Sequence, residues 1–198
     1  MRRFTAVLGL LLGGAALLAC SQQAERAAGN CCPCEASAGA SDSAKARAAD
    51  RALVSWLATA RAYHHQADLH LQQGESERAL AAVREILKLP AEKGWLEAEE
   101  VRLDAVARLG KLLAGADKVP EALQVVEKEL AEAHRPSFYL ANLHAVRGEL
   151  LELEVKRREA RGAKEAAREA AREAIQAFER SIALNKELQA QLRERKAP

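Results

Sequence analysis

Three cysteines stand close together near the start of the chain, in the segment Cys31-Cys32-Pro33-Cys34. Thiols at this spacing could form a disulfide within the chain or with a second chain, or they could bind a metal ion. A single C-x-x-C pair supplies only half of the usual four-ligand zinc site. Haem attachment requires a histidine directly after the last cysteine, and Glu35 stands there instead. Three interpretations therefore stay open: an inert cluster, a disulfide or a metal site.

Histidines form the second group of residues with chemical potential. His64, His65 and His70 lie near Asp68 in the sequence, and His64 and Asp68 share one helix face because they are four residues apart. Two such side chains do not complete a metal site, and the H-E-x-x-H pattern of zinc enzymes does not occur in the sequence. We therefore interpret these histidines as surface or groove residues and predict no metal site.

No sequence pattern of an active site accompanies these groups. The chain contains neither a nucleophile elbow nor a phosphate-binding glycine loop. Its acidic residues are spread along helical segments, as is typical of solvated charges. The sequence therefore predicts a protein that is not an enzyme.

The first residues have the organisation of a secretory signal. Two basic residues, Arg2 and Arg3, precede an apolar run over residues 4–19 that contains several glycines. The run is shorter than the about 20 apolar residues that a membrane-spanning helix needs. An exported chain is therefore expected, rather than one held by a spanning helix.

The segment Leu17-Leu18-Ala19-Cys20 resembles the lipobox of bacterial lipoproteins, with a leucine three residues before the cysteine and a small residue directly before it. The resemblance implies that residues 1–19 are a signal peptide and that Cys20 carries a diacylglycerol and, after cleavage, a further acyl chain. Several acyl chains give stable anchoring, whereas one chain binds a membrane only reversibly. This covalent lipid is expected, and no separate cofactor is. The alternative is an ordinary secretory signal with an incidental cysteine.

Ser21 follows the cysteine. In the sorting rule of proteobacterial lipoproteins, which this position resembles, aspartate there retains the protein in the inner membrane and serine permits export. The resemblance implies a protein anchored by lipid to the periplasmic face of the outer membrane. With Cys20 lipidated, the three remaining cysteines are odd in number, so one thiol could pair with another chain.

The charge balance argues against a nucleic-acid partner. The chain has 30 basic and 28 acidic residues, and the signal peptide carries two of the basic ones, so the remaining chain is formally neutral. Proteins that bind nucleic acid usually carry a clustered basic excess. Abundant alanine and leucine, interleaved with charged residues, are instead typical of long helices.

Two regions with different patterns follow the signal peptide. Residues 20–43 are rich in Ala, Ser, Gly and Gln, which predicts a flexible tether because so little apolar surface can be buried. Over residues 44–198, apolar residues recur at three- and four-residue steps, which predicts a helical domain. Six helices are expected. The first ends at Gly74, and the others span Ser76 to about Leu89, about Glu92 to Ala114, Pro120 to about Ala133, Pro136 to about Arg161, and Ala163 to about Arg193.

Similar motifs recur in the second, fourth and sixth predicted helices. Ala79, Ala122 and Ala174 each begin a comparable run of apolar residues. Gly74 and Asp117 stand five residues before the first two of these alanines, and those two alanines are 43 residues apart. Recurrence of this kind indicates a repeat architecture.

This pattern resembles the tetratricopeptide repeat, in which paired helices carry a small residue where the partner helix passes close. Gly110, and Ala67 in the first pair, hold that position. The resemblance covers residues 60–90 and 103–133 and is weaker in the third pair. It implies an all-α stack of about three irregular helical hairpins, with the last helix as a polar-faced cap. An irregular helical bundle is the alternative.

Repeat stacks of this family have a concave surface formed by the first helix of each pair, and such surfaces bind proteins. Carrying the resemblance over residue by residue implies a groove lined by Arg61, His64, Asp68, Asp104, Lys111, Asn142, Glu149 and Glu152. The mixture lacks the Lys/Asn/Arg clamp with which some family members hold a C-terminal carboxylate, so that ligand is not expected.

These features predict a lipid-anchored, non-enzymatic scaffold or assembly factor that binds another envelope protein or a peptide segment. By architecture the chain resembles helical-repeat lipoproteins that act as pilotins for secretins or as parts of outer-membrane assembly machines. The alternative is a metal- or redox-responsive envelope protein that uses the cluster of Cys31, Cys32 and Cys34. A further alternative is a spacing protein of the envelope with no tight partner.

Overall fold

Helices form all of the regular structure between residues 37 and 195. The structure, a computed structural model, describes these residues, with side chains from Arg47 onward. The helices are α1 (Ser37–Gln72), α2 (Ser76–Lys88), α3 (Leu96–Gly115), α4 (Val119–Glu132), α5 (Phe138–Ala160) and α6 (Lys164–Glu194). The predicted all-α class is confirmed. The predicted signal peptide, the Cys20 lipidation site and the cluster of Cys31, Cys32 and Cys34 lie outside the described residues.

Two helix starts differ clearly from the sequence prediction. α1 begins at Ser37, inside the segment 20–43 that was expected to be a tether, and its first residues extend the alanine-rich run over 44–52, which favours helix. α3 begins at Leu96 instead of near Glu92. Its start is later because Gly94 has a φ of 93°, a left-handed conformation that glycine adopts readily and that cannot continue a helix.

The six helices form three hairpins stacked in a row. α1 packs on α2, α3 on α4, and α5 on α6. In addition, α3 packs against both α1 and α2, and α5 packs against both α3 and α4. The first helix of each later hairpin therefore lies in the groove of the hairpin before it. Within residues 37–195, α1 and α2 do not contact α5 or α6, so the row is open rather than closed into a bundle.

All three hairpin turns share one backbone motif. Gly74, Asp117 and Gly162 have positive φ values of 75°, 60° and 73°. The residue after each of them donates its backbone N–H to the carbonyl five residues earlier, over 2.8, 2.8 and 2.9 Å. This is the Schellman arrangement that ends a helix with one left-handed residue. The turns therefore define equivalent positions in the three hairpins.

Alignment by these turns selects a different alanine of α6 from the one in the sequence pattern. A buried alanine lies five residues after each turn residue: Ala79, Ala122 and Ala167. The sequence pattern instead aligns Ala174, two helical turns further along α6, with the first two alanines. Ala174 is also buried, because it lies seven residues after Ala167 on the same face of α6. The stripe of alanines on α6 thus repeats the motif twice, and the sequence pattern selects the second copy.

Asp117 holds a left-handed conformation that residues other than glycine rarely adopt. Its carboxylate accepts a hydrogen bond from Nη1 of Arg157 at 2.7 Å, but its side chain is 91% exposed, so the ion pair contributes little. We expect Asp117→Gly to be at least as stable as the natural protein. Asp117→Ala should be about 1 kcal/mol less stable, because alanine lacks the short polar side chain with which aspartate adopts the left-handed conformation at lower cost.

Thermal unfolding of the three proteins tests this order of stability. Gly162, the equivalent residue of the third hairpin, serves as a reference, since Gly162→Ala measures the full strain of alanine relative to glycine at such a turn. If Asp117→Gly were as unstable as Asp117→Ala, the bond from Arg157 would outweigh the strain, contrary to our expectation.

Candidate functional site

Polar side chains from the first helices of the three hairpins meet on one side of the stack. We call this surface the first-helix face and define it by six residues: His64 and Asp68 of α1, Asp104, Arg108 and Lys111 of α3, and Glu149 of α5. On α1 and α3 these residues recur every three or four positions, so each helix presents them along one stripe.

Arg108 joins α1 to α3 at the centre of the first-helix face. Its Nη2 donates to Oδ1 of Asp68 at 2.5 Å, and its Nη1 lies 3.2 Å from Nδ1 and 3.3 Å from the backbone carbonyl of His64. On the other side of the imidazole, Nε2 of His64 lies 3.9 Å from Oδ2 of Asp104. One guanidinium therefore contacts two residues of α1, and the imidazole lies between Arg108 and Asp104.

His64 is held as a neutral imidazole in this cluster. Because Arg108 can only donate, Nδ1 of His64 must accept, and the ring proton is assigned to Nε2, the nitrogen nearer Asp104. Burial lowers the pKa of His64 below its ordinary value of 6.5, and the positive charge of Arg108 lowers this pKa further. Asp104 and Asp68 act in the opposite direction but do not cancel these two effects.

The lowered pKa of His64 predicts a loss of stability in acid. Below pH 6.5 the unfolded chain binds a proton at His64 that the folded protein does not, so the free energy of unfolding falls with pH until the lowered folded pKa is reached. His144 has a pKa lowered by burial and by Arg180 and Arg147, and it acts in the same direction. We expect His64→Gln to lose less stability than the natural protein between about pH 7.5 and pH 5.5.

Urea unfolding at several pH values measures this dependence. Above about pH 7.5, where histidine is neutral in both states, the two proteins should have parallel curves, which provides the internal control. The double variant His64→Gln/His144→Gln should have the flattest curve below pH 6.5. An acid loss as steep in His64→Gln as in the natural protein would show that His64 is not the group responsible.

A second set of ion pairs joins the middle hairpin to the last one. Nζ of Lys111 lies 3.2 Å from Oε2 of Glu149, which links α3 to α5 on the first-helix face. Arg147 lies between two carboxylates, at 3.0 Å from Glu127 of α4 and 3.1 Å from Glu173 of α6. Charged residues on each hairpin therefore pair with charges on the next hairpin along the row.

Of the eight residues predicted to line a groove, the structure brings five into polar contact between helices: His64, Asp68, Asp104, Lys111 and Glu149. Arg61 and Asn142 are exposed on α1 and α5. Glu152 lies elsewhere, in a cleft between α5 and α6. The sequence prediction omitted Arg108, although its place four residues after Asp104 and three before Lys111 puts it on the same stripe.

Comparison with known proteins gives no family for this chain. No family model, curated protein or solved structure matches it. The first-helix face is therefore interpreted from its own chemistry. It contains three carboxylates, two cations and a neutral imidazole, most of them already paired with one another. Such a surface can exchange internal ion pairs for bonds to a peptide or protein.

A separate cleft of about 410 Å³ lies where α3, α4 and the start of α5 meet. Most of its charged groups are paired: the buried Glu129 accepts from Nε of Arg102 at 2.9 and 3.1 Å, and Arg135 contacts Glu99 and the nearby Glu100. Across the described residues there is no group of three or more His, Cys, Asp or Glu side chains placed to hold a metal ion. None of the described helices is long and apolar enough to cross a membrane.

Proposed function

We propose that this protein is a lipid-anchored, non-enzymatic scaffold of the bacterial envelope that binds another envelope protein through its first-helix face. Cys20 would carry the lipid, and Ser21 would direct the protein to the periplasmic face of the outer membrane. The proposed partner is a protein or a peptide segment rather than a nucleic acid, in keeping with the formally neutral chain that follows the signal peptide.

The observation that carries the proposal is the open row of α1, α3 and α5. Because these helices pack side by side and the row does not close, their outward stripes form a surface that spans all three hairpins. Repeat stacks use such extended surfaces to bind partners. Arg61 and Asn142 are exposed and lie seven residues before Asp68 on α1 and before Glu149 on α5, so they extend the stripes of the first-helix face and offer polar groups to a partner.

We further propose that the three hairpins are irregular tetratricopeptide-like repeats. The shared left-handed turn, the buried alanine five residues later and the packing of each first helix into the preceding groove support this proposal. The turn residues Gly74, Asp117 and Gly162 are 43 and 45 residues apart, which is longer than the standard unit of 34 residues. Long first helices, such as the 20 residues of α3, account for part of this extra length.

The start of α1 suits a protein anchored at Cys20. Residues 47–52 are exposed, and among the side chains of α1 that the structure describes, from Arg47 onward, the first buried one is that of Trp56. From Ser37 to Trp56 a helix covers about 30 Å at 1.5 Å per residue. In the proposed arrangement this projecting helix holds the first-helix face away from the membrane surface.

Site-specific photocrosslinking in native membranes tests the proposed binding face. A photoreactive residue replaces Arg61 or Asn142 on the first-helix face, or Gln124 or Lys128 as matched exposed controls on α4. We expect Arg61 and Asn142 to crosslink to the same envelope protein and the α4 positions not to do so. Equal crosslinking from both sets, or none from Arg61 and Asn142, would contradict the proposed face.

A further inference from the structure

The last hairpin has a groove that no described helix fills. This surface, which we call the end groove, has an apolar floor of Val155, Ala171, Ala174, Ile175 and Phe178, with Glu152, Lys156 and Glu159 along its α5 edge. It encloses about 440 Å³. The apolar stripe continues along α6, where Ile175 and Ile182 are 57% and 53% exposed.

The two equivalent grooves of this fold are both filled by a helix. α3 lies against α1 and α2, and α5 lies against α3 and α4, whereas within the described residues α6 contacts only α5. The end groove therefore has the architecture that elsewhere in this protein receives a helix running parallel to the first helix of the hairpin.

The charged residues at one equivalent position of the three hairpins indicate which charge such a helix would carry opposite α5. Six residues before the left-handed turn residue stand Asp68, Lys111 and Lys156. Asp68 pairs with Arg108 of the helix in its groove, and Lys111 pairs with Glu149 of the helix in the next groove. Lys156 is exposed at the edge of the end groove and has no ion pair within the described residues. An incoming helix would complete the series with a carboxylate.

A second equivalent position, on the second helix of each hairpin, predicts the same negative charge on the incoming helix. Ten residues after the turn residue stand Arg84, Glu127 and Arg172. Glu127 pairs at 3.0 Å with Arg147 of α5, the helix in its groove, and Arg84 pairs at 2.7 Å with Glu121 of α4, the second helix of the next hairpin. Arg172 is exposed and, in the part of the chain that the structure describes, makes no ion pair. Arg172 would therefore also pair with a carboxylate of the incoming helix.

We propose that the end groove binds an amphipathic helix of another protein that carries acidic residues facing Lys156 and Arg172. The apolar side of this helix would cover Ile175 and Phe178, and its backbone would run parallel to α5. Glu152 and Glu159 on the α5 edge restrict the acidic residues to these two places. This inference rests on the proposed scaffolding function and adds the kind of partner that the scaffold takes.

A second copy of the same chain is a poor occupant of the end groove. In the contacts between hairpins, Glu149 supplies the carboxylate for Lys111, and Glu121 supplies the carboxylate for Arg84. If the first hairpin of a second copy continued the stack, Arg61 and Arg78 would hold the positions of these two glutamates. Both are basic, so Arg61 would face Lys156 and Arg78 would face Arg172. Like charges at both positions disfavour open head-to-tail assembly.

Binding of two synthetic peptides to the purified mature chain tests the proposal. Both peptides are helices of about 20 residues with the same leucine stripe, and their flanking residues are glutamate in one and lysine in the other. At 0.15 M salt we expect about tenfold tighter binding of the acidic peptide, because two weak exposed ion pairs change from attraction to repulsion. The preference should shrink at 1 M salt.

Three variants locate the binding. Lys156→Glu/Arg172→Glu should reverse the preference, Ile175→Asp should weaken the binding of both peptides at least tenfold, and the control Arg51→Glu/Lys128→Glu should keep the preference. All changed residues are exposed, and circular dichroism checks that each variant folds. Equal binding of the two peptides, no binding, or reversal by the control variant would overturn the proposal.

Analytical ultracentrifugation tests whether a second copy of the chain occupies the end groove. A concentration-dependent dimer that Ile175→Asp abolishes would show that a second copy covers the end groove, and this would overturn the proposal. If the peptides fail while Arg61 and Asn142 still crosslink to an envelope protein, the end groove is excluded as a binding site but the proposed function stands.

Discussion

Gly110→Leu should lower the free energy of unfolding by roughly 1–2 kcal/mol. Gly110 is buried in α3, and a Cβ atom there would lie 3.0 Å from Cγ2 of Val126, 3.5 Å from Cδ1 of Leu150 and 3.7 Å from Cγ1 of Val146. The rest of a leucine side chain has to displace these neighbours on α4 and α5, and overpacking of this kind typically costs about 1–3 kcal/mol. The higher helix propensity of leucine offsets only about 0.8 kcal/mol of this.

Gly115→Leu provides the matched control for Gly110→Leu. Gly115 is the last residue of the same helix, it is exposed, and a Cβ atom there meets nothing within 4 Å. Its substitution should leave stability unchanged or raise it, because only the propensity effect remains. Urea unfolding compares the two variants. If both raised stability alike, α3 could not pass as close to α4 and α5 as the hairpin stack requires.

Gly110 also shows how far the sequence predicts this fold. Its place in an apolar helical stripe, at the repeat position of Ala67, indicates a close contact between paired helices. The sequence does not predict that Val146 and Leu150 of α5 reach the same point, because this depends on which groove α5 enters. Helical periodicity is local along the chain, whereas groove filling is a relation between distant segments.

The turns and the sequence pattern align the third hairpin differently for a physical reason. Gly148 in α5 approaches the ring of Phe178 in α6 so closely that a Cβ atom would lie 2.7 Å from it. Gly148 lies 14 residues before the turn at Gly162, whereas Gly110 lies seven residues before Asp117. The hairpin is thus longer by two helical turns on each side. Sequence alone does not reveal this shift, because the alanines of α6 suit either register.

The sequence likewise predicts the first-helix face only in part. Helical spacing placed His64 with Asp68 and Asp104 with Lys111, because residues three, four or seven apart share a face. Pairing across helices depends on the relative heights of α1, α3 and α5, which the turns fix. The spacing of Arg108 from Asp104 and Lys111 places it on the same stripe, but its role in joining α1 to α3 is visible only in its contacts with His64 and Asp68.

Cys20→Ala should abolish membrane anchoring almost completely. In the proposed account the acyl chains on Cys20 supply the membrane affinity, at about 0.8 kcal/mol for each buried CH₂ group, and alanine has no thiol to accept them. We expect loss of lipid labelling, and an uncleaved chain or a chain in the soluble or inner-membrane fraction. Cys32→Ala is the matched control and should keep labelling and fractionation unchanged. Lipid labelling that survives in Cys20→Ala would show that the lipid is attached to another residue, which would contradict the proposed anchor.

The central claim, that this chain is anchored in the envelope by a lipidated cysteine, is tested most directly by the intact mass of the mature protein. The measurement uses protein extracted from its own membranes with detergent. We predict a chain that begins at Cys20 and carries the added mass of a diacylglycerol and one further acyl chain. An unmodified chain, whether it begins at Met1 or at another residue after cleavage, would contradict the claim.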